Sequence, residues 1–380
     1  MTDYGHELSF GSFVTPSSQH PESVVALAQL SEELGLDLVT FQDHPYQPAH
    51  LDTWTLMSYV AAATVQIKLA PNVLNLPLRS PAVVARSAAS LDRLSGGRVE
   101  LGLGAGAFWD AIEAMGGARL TPGESIVALG EAISIIRQLW DTTARGGVRF
   151  DGEHHRVAGA KRGPAPAHDI QIWLGAYKPR ILRLTGRVAD GWLPSSGYLP
   201  PAELAAANAI IDESALAAGR QPTDVRRLYN ITGTFARQSR DFLQGPTDQW
   251  VDELTELAVE AGISTFILGT DEPSALTTFA EEVVPGVREA VAAARATPTR
   301  PVSPTPATPV EIAAEQTLPS RTERRPSSSF TVQPTPDDGR RLTGDLWDES
   351  QRPTGPAPDP DHHYTPRDLA SAQQLVDIHN

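Results

Sequence analysis

The amino-acid sequence predicts an α/β protein: a closed (β/α)8 barrel with a hairpin insertion after its fourth unit, followed by a disordered proline-rich tail. Two observations predict the barrel. Short β-rich runs alternate with amphipathic helical runs over residues 9–294, and this span is close to the usual size of such barrels. A change of composition near residue 295 predicts the tail. An open, doubly wound sheet is the alternative architecture.

The eight predicted strands are short runs rich in apolar, β-branched and aromatic residues. They are Ser9–Val14, Asp37–Gln42, Gln66–Val73, Arg98–Leu103, Ile170–Gly175, Asp190–Pro194, Val225–Phe235 and Ser264–Leu268. Because parallel strands need crossover helices, the alternation predicts a parallel sheet, and eight strands suggest that the sheet closes. The turn over residues 102–107 lacks the third glycine of a dinucleotide-binding loop and follows the fourth strand, which favours the barrel over the open sheet.

Helix boundaries are marked by proline, glycine and capping residues. Pro21, Pro246 and Pro273 stand at predicted helix starts, and Gly35 at a predicted helix end. Thr121 and Glu124 are spaced as a capping box. Residues 141–169 break the alternation with VRFDGEHHRV, and we expect a hairpin inserted between the fourth and fifth units.

Composition limits the classes of function. The chain has no Cys, which excludes disulfides, thiolate metal sites and Cys nucleophiles. A net charge of −15 disfavours a nucleic-acid partner and suits a small-molecule substrate. We see no membrane span, no signal peptide and no metal-binding motif such as HExxH, so a cytoplasmic enzyme without a metal is expected.

Three regions are predicted along the chain. Residues 1–295 form the barrel domain, and residues 296–364 form a linker rich in Pro, Ser, Thr and Arg that is expected to be disordered. Residues 365–380 form a short helix with Thr365 and Pro366 at its start. We interpret this helix either as a frayed or partner-docking segment or as the start of a truncated module that resembles hemerythrin. The sequence does not identify a partner for the tail.

The residues that follow the strands are the candidates for function, because active sites of such barrels lie at the carboxyl ends of the strands. Asp43 and His44 follow the second strand. An acid beside an imidazole can fix its tautomer, and a His in a cleft can donate or accept a proton near neutral pH. The alternative is a capping Asp and a packed His before Pro45.

Small residues end the fourth and fifth strands. Gly104, Ala105 and Gly106 precede Ala107, and backbone N–H groups of such residues can approach an anion or a flat ring closely. The fifth strand ends with Gly175, Ala176 and Tyr177 before Lys178, Pro179 and Arg180 open a helix, which suits a phosphate. Tight turns and solvated cations are the alternatives.

Several of these segments, taken together and in order, resemble the bacterial luciferase-like superfamily of TIM-barrel oxidoreductases. They are FGSFVTP, FQDHPYQP, NVLNLPLRSPAVVARSAASLDRLSGGRVELGLGAG, WLGAYKPRILRLTGRVADGW and AGISTFILG. The resemblance extends from about Leu8 to Arg295 and is strongest to the branch that uses the deazaflavin coenzyme F420.

The resemblance implies roles for these residues. Asp43 and His44 would lie beside the coenzyme ring, and Asn72 and Val73 would form a non-prolyl cis peptide that backs it. The segments Gly104, Ala105, Gly106, Ala107 and Gly175, Ala176, Tyr177 would hold the ribityl-phosphate side. Barrels of this family commonly pair through helices, so a homodimer is expected.

The chain also departs from the family's pattern. Relatives that oxidise glucose 6-phosphate place a Glu directly after the last glycine of the fourth-strand loop. This chain has Ala107 there and Asp110 three residues on, which disfavours a sugar-phosphate substrate and leaves the general acid unassigned. Trp109 and Trp192 are candidates for the wall of an apolar substrate pocket, with plain packing as the alternative.

Three functions therefore remain open from the sequence. The first is hydride transfer between coenzyme F420 and a small organic substrate. The second is an FMN-dependent monooxygenase of the same fold, since flavins react with oxygen and deazaflavins largely do not. The third is a cofactor-binding scaffold that has lost catalysis.

Overall fold

The structure is a computed structural model that describes residues 3–296. Thirteen strands lie in this range. They are β1 (Ser9–Val14), β2 (Leu38–Phe41), β3 (Lys68–Pro71), β4 (Leu74–Asn75), β5 (Leu101–Gly104), β6 (Val148–Asp151), β7 (Arg156–Ala160), β8 (Ile172–Leu174), β9 (Gly191–Trp192), β10 (Arg226–Ile231), β11 (Thr234–Phe235), β12 (Gln244–Gly245) and β13 (Thr265–Gly269).

Nine of these strands form one parallel sheet in the order β3-β2-β1-β13-β10-β9-β8-β5-β4. β3 and β4 together make up the third barrel strand. The two strands at the ends of this order are therefore consecutive in the sequence. Leu69 of β3 donates its N–H to the Arg98 carbonyl at 2.8 Å and accepts the Glu100 N–H at 2.9 Å. These bonds join the third and fourth units, and the predicted barrel is confirmed.

Ten α-helices lie within the described range. They are α1 (Pro21–Glu33), α2 (Thr53–Ala63), α3 (Pro81–Ser95), α4 (Trp109–Ala114), α5 (Pro122–Trp140), α6 (Pro179–Val188), α7 (Leu204–Ala217), α8 (Thr247–Glu260), α9 (Pro273–Thr278) and α10 (Val284–Ala296). The predicted capping box is present, since Thr121 and Glu124 each bond the other's backbone N–H. No helix in the described range is long and apolar enough to cross a bilayer.

The predicted hairpin insertion is the antiparallel pair β6–β7. The predicted seventh strand is too long: β10 ends at Ile231, and Thr234 donates its N–H to the Leu243 carbonyl at 2.8 Å. The chain therefore leaves the barrel wall after Ile231 and pairs through β11 with β12. Apart from residue 296, the predicted linker and the predicted C-terminal helix lie outside the described residues.

Apolar side chains fill the inside of the barrel, as in other packed (β/α)8 cores. They are Leu38, Ala70, Trp173, Leu193, Leu228 and Ile267, with Phe13 and Val73 packed against them. Two larger apolar clusters lie around the barrel and are formed mostly by strand and helix residues. Because the interior is filled, a ligand of the barrel has to bind at an end or on the flank rather than inside it.

Candidate active site at the carboxyl ends of the strands

Asp43 stabilises the end of the barrel at which the carboxyl ends of the strands lie, which we call the mouth. Arg79 donates to both of its carboxylate oxygens, from Nε at 2.8 Å and from Nη2 at 2.7 Å, and the Asn75 N–H donates to Oδ2 at 2.9 Å. Arg79 also donates to Asp52 at the start of α2. Burial opposes the charge of Arg79, but its two carboxylate partners raise its pKa above the ordinary value. Asp43 thus ties the end of β2 to β4.

His44 lies in an aromatic cluster at the mouth. Its ring stacks on Tyr46 at a centroid distance of 5.4 Å and on His50 at 6.2 Å, and it meets the edge of Phe108 at 5.4 Å. Burial lowers the pKa of His44, and the neighbouring His50 lowers it further. His44 is therefore mainly neutral at pH 7 and can accept a proton.

Val73 packs against the small residues at the ends of β5 and β8. The Asn72–Val73 peptide bond is cis, as the resemblance implies. A Cβ on Gly104 would lie 2.8 Å from the Val73 side chain, and one on Gly175 would lie 3.3 Å from it. The first distance is too short for a carbon–carbon contact, so glycine is required at Gly104 for Val73 to occupy this position.

A buried network of polar side chains crosses the barrel beneath Val73. Asn72 donates to the Asn230 side-chain oxygen at 2.7 Å, and Asn230 donates back at 3.0 Å. Asn230 also donates to Ser195, and Asn72 to Thr40. Since a buried amide needs partners for both its donors and its acceptor, this network fixes the two strand ends relative to each other.

Asn75 leaves a polar atom without a partner at the mouth. Its side-chain Oδ1 is buried and accepts no hydrogen bond within the described part of the chain. Burial raises the pKa of the nearby Tyr46 well above its usual range, against a hydrogen bond with the Asn75 side chain that lowers it, so the Tyr46 phenol keeps its proton. Across the mouth, Tyr177 stacks on Tyr198 at 5.6 Å. The mouth therefore combines flat aromatic faces with an acceptor that lacks a donor.

The structure thus brings His44 and the predicted glycine turns together. Phe108, at the end of the fourth-unit loop, touches the His44 ring, and Val73 links Gly104 to Gly175. Ala105, Gly106 and Ala107 lie in that same loop, and Ala176 and Tyr177 follow Gly175. The sequence did not single out Tyr46, His50, Asn75, Arg79, Phe108 or Asn230, although Tyr46, Asn75 and Arg79 stand in the segments that carry the resemblance.

Asp110 and Trp192 have other partners in the structure. Asp110 is 97% exposed and forms an ion pair with Arg119 on the surface, so it is not placed as a general acid. Trp192 is fully buried and donates to the Ala176 carbonyl at 2.8 Å, so it packs in the core and walls no pocket. Within residues 3–296, no group of three His, Asp or Glu side chains is arranged to hold a metal ion.

A family model described as luciferase-like monooxygenase matches residues 4–250. The chain belongs to the luciferase-like monooxygenase family. The match covers the barrel from its first strand into α8, including each residue of the mouth described above.

Relatives of the chain include a dehydrogenase and a reductase. An F420-dependent glucose-6-phosphate dehydrogenase of Nocardia farcinica is 33% identical over 234 residues, which are 59% of this chain and 68% of the relative. A 5,10-methylenetetrahydromethanopterin reductase of Archaeoglobus fulgidus is 33% identical over 215 residues, which are 56% of this chain and 60% of the relative.

Solved structures share the fold at lower identity. An F420-dependent secondary alcohol dehydrogenase in complex with an F420-acetone adduct has a TM-score of 0.66 and 20% identity, over 74% of this chain and 99% of that chain. A monooxygenase from Streptomyces bottropensis has a TM-score of 0.62 and 21% identity, over 73% of this chain and 99% of that chain. At this identity the likeness supports the barrel fold alone.

Proposed function

We propose that this enzyme transfers a hydride between coenzyme F420 and a small organic substrate at the mouth of the barrel. One observation carries the proposal: Val73 packs against the glycines that end the fourth and fifth units, and the fourth-unit loop contacts the His44 ring through Phe108. An apolar face and a proton acceptor therefore lie at the same end of the barrel. The F420-dependent relatives at 33% identity support the choice of coenzyme.

The residues of the mouth fit such a coenzyme. The unpartnered Asn75 Oδ1 can accept a hydrogen bond from a ring N–H or a hydroxyl group. The first turn of α6, with the cation of Lys178 at its start, suits the phosphate. Val73 would back the ring, with its position secured by the glycine at Gly104.

The bound deazaflavin supplies the carbon that accepts or donates the hydride. His44 supplies the proton step: in its neutral form a ring nitrogen takes the proton of a substrate hydroxyl, and in its protonated form it returns a proton to a carbonyl oxygen. Asp43 does not contact the His44 ring through a hydrogen bond, because Arg79 and Asn75 occupy its oxygens. We therefore assign Asp43 a positioning role.

The substrate in this proposal is uncharged or weakly charged. Ala107 offers no carboxylate at the place where glucose-6-phosphate-oxidising relatives have a Glu, and Asp110 is engaged by Arg119. The clustered rings of His44, Tyr46 and Phe108 give the mouth an apolar wall. Such a wall favours a substrate with apolar surface over a sugar phosphate.

Titration of the purified protein with F420 tests the coenzyme, and the His44→Asn variant tests the proton step. We expect micromolar binding of F420 by both proteins, within a few-fold of each other. We expect turnover of the variant to fall by about 10²- to 10⁴-fold. His20→Asn is the matched control, because His20 is an exposed residue before α1, and it should behave as wild type. No binding of F420 at micromolar concentration contradicts the proposal.

A second candidate, an FMN-dependent monooxygenase, follows from the description of the family model. Oxygen uptake with reduced FMN separates the two candidates. Uptake faster than that of free reduced FMN, with oxygen incorporated into a product, would favour the monooxygenase. We expect uptake at the rate of the free flavin.

A further inference from the structure

Helix α6 carries a row of arginines on its outer face. Arg180, Arg183 and Arg187 are spaced three and four residues apart, which places them on one side of the helix over about 10 Å. All three side chains are exposed. None of them forms a hydrogen bond or ion pair with another residue in the described part of the chain. In a protein with a net charge of −15, three neighbouring cations without partners are unusual.

These arginines line a cavity of about 530 Å³ between α5, α6 and the hairpin turn. The amino terminus of α5 lies in the same cavity, at Thr121 and Gly123, and Gly123 stands next to the Arg180 side chain. Pro122 has no N–H and Glu124 donates its N–H to Thr121, so this helix start offers the Gly123 N–H and the helix dipole to an anion. Two carboxylates also face this cavity. Glu124 is used in the capping box with Thr121, whereas Glu153 is an exposed residue of the hairpin turn.

The position of the row relates it to the mouth. α6 begins at Pro179, after the turn that follows β8, and the proposed function assigns the phosphate of the coenzyme to its first turn. Arg180 lies in the first turn of that helix, and Arg183 and Arg187 continue outward along it. An anionic chain that leaves the phosphate site along α6 would therefore meet three cations in succession.

We propose that this arginine row binds the oligoglutamate tail of coenzyme F420. The inference rests on the proposed function and deepens it. The tail is a flexible chain of carboxylates, and three guanidinium groups spread over about 10 Å match several carboxylates better than one compact anion. The site is open to solvent, so the attraction adds affinity without fixing the tail in one conformation, and salt weakens it.

The test compares two forms of the coenzyme, F420-0, which has no glutamate, and F420 with five or six glutamates. At low salt, the wild-type protein should bind the long form about tenfold more tightly than F420-0. The Arg183→Gln/Arg187→Gln variant should lose most of this preference and bind F420-0 like wild type. Raising the salt from about 50 mM to about 500 mM should reduce the wild-type preference.

Arg145→Gln/Arg237→Gln is the matched control, because both arginines are exposed on other surfaces and have no ion pair within residues 3–296. This variant should keep the full preference for the long tail. Glu153→Gln should increase it, since it removes a negative charge from the cavity.

The outcomes separate the two proposals. If F420-0 binds but tail length makes no difference, or if Arg183→Gln/Arg187→Gln keeps the wild-type preference, the arginine row has another role and the proposed function stands. If neither form of the coenzyme binds, both the proposed function and this inference are overturned.

Discussion

The two ends of the barrel differ in whether their buried polar groups have hydrogen-bond partners. At the amino ends of the strands, Arg98 makes five hydrogen bonds, mostly to carbonyl groups at the ends of α2 and α3. Arg227 is fully buried and bonds Asn208 and Asp212. At the carboxyl ends, Asn75 Oδ1 lacks a partner and the imidazole of His44 is held neutral.

This difference separates stability from function. Buried charges that are fully bonded fix the fold at one end and leave nothing for a ligand. The other end has an acceptor without a partner, a proton acceptor and glycines. These groups lower the stability of the fold or leave it unchanged, but they can interact with a bound molecule. Asp43 belongs to the first type although it stands at the second end, because Arg79 and Asn75 saturate it.

The largest expected effect comes from breaking the bonded end. Arg227→Ala removes the cation that pairs with Asp212 and on which the ring of Tyr4 lies at 4.2 Å. It leaves Asn208 and Asp212 without this partner, and we expect the free energy of unfolding to fall by about 3–5 kcal/mol. Urea unfolding measures it. Arg145→Gln, at an exposed site, should change stability by less than about 0.5 kcal/mol. A loss below 1 kcal/mol for Arg227→Ala would mean that this end is not a stability element.

An intermediate effect is expected at the mouth. Gly104→Ala places a methyl group about 2.8 Å from the Val73 side chain, and we expect a loss of about 1–3 kcal/mol with weaker binding of F420. Val73→Ala/Gly104→Ala should recover part of this stability, because the smaller side chain makes room. Gly197→Ala, where a methyl group meets no atom within 4 Å, is the control. Additive losses in the double variant would contradict the proposed contact.

The smallest effect concerns two histidines with opposite pH dependence. Hydrogen bonding to Glu100 raises the pKa of His168 at the amino end, against burial, whereas burial lowers the pKa of His44 at the mouth. His168 therefore stabilises the fold fully below its unfolded pKa of 6.5, and this contribution is lost as the pH rises through the folded pKa. His44 destabilises the fold as the pH falls below 6.5 through its lowered pKa.

Urea midpoints measured from about pH 5 to about pH 9 check these signs. His168→Asn should remove the loss of stability on the alkaline side, and His44→Asn should remove the loss on the acidic side. The same slope in both variants and in wild type would show that neither histidine contributes.

Local patterns in the sequence predicted the barrel and the order of its strands, although several strands are shorter than predicted. Pro21, the Thr121–Glu124 capping box and the alternation of strands and helices act over a few residues, so the sequence carries them directly. The Asn72–Val73 cis peptide came from the resemblance to a family rather than from any local rule.

Contacts between distant residues were not predictable in this way. The Arg79 side chain donates a hydrogen bond to Asp43, which is 36 residues away in the sequence. The Asn72 side chain donates one to Asn230, which is 158 residues away. Nothing in either segment indicates the partner, because the register of the whole barrel brings them together. The length of the seventh strand was overestimated for the same reason. A backbone hydrogen bond from Thr234 to Leu243, rather than to a barrel strand, ends its pairing in the barrel wall.

A crystal structure of the protein with F420 bound tests the central claim most directly. We expect the ring to pack on Val73, with His44 beside it and the phosphate at the start of α6. A ring located elsewhere, or a mouth whose His44 and Gly175 contact no part of the coenzyme, would contradict it.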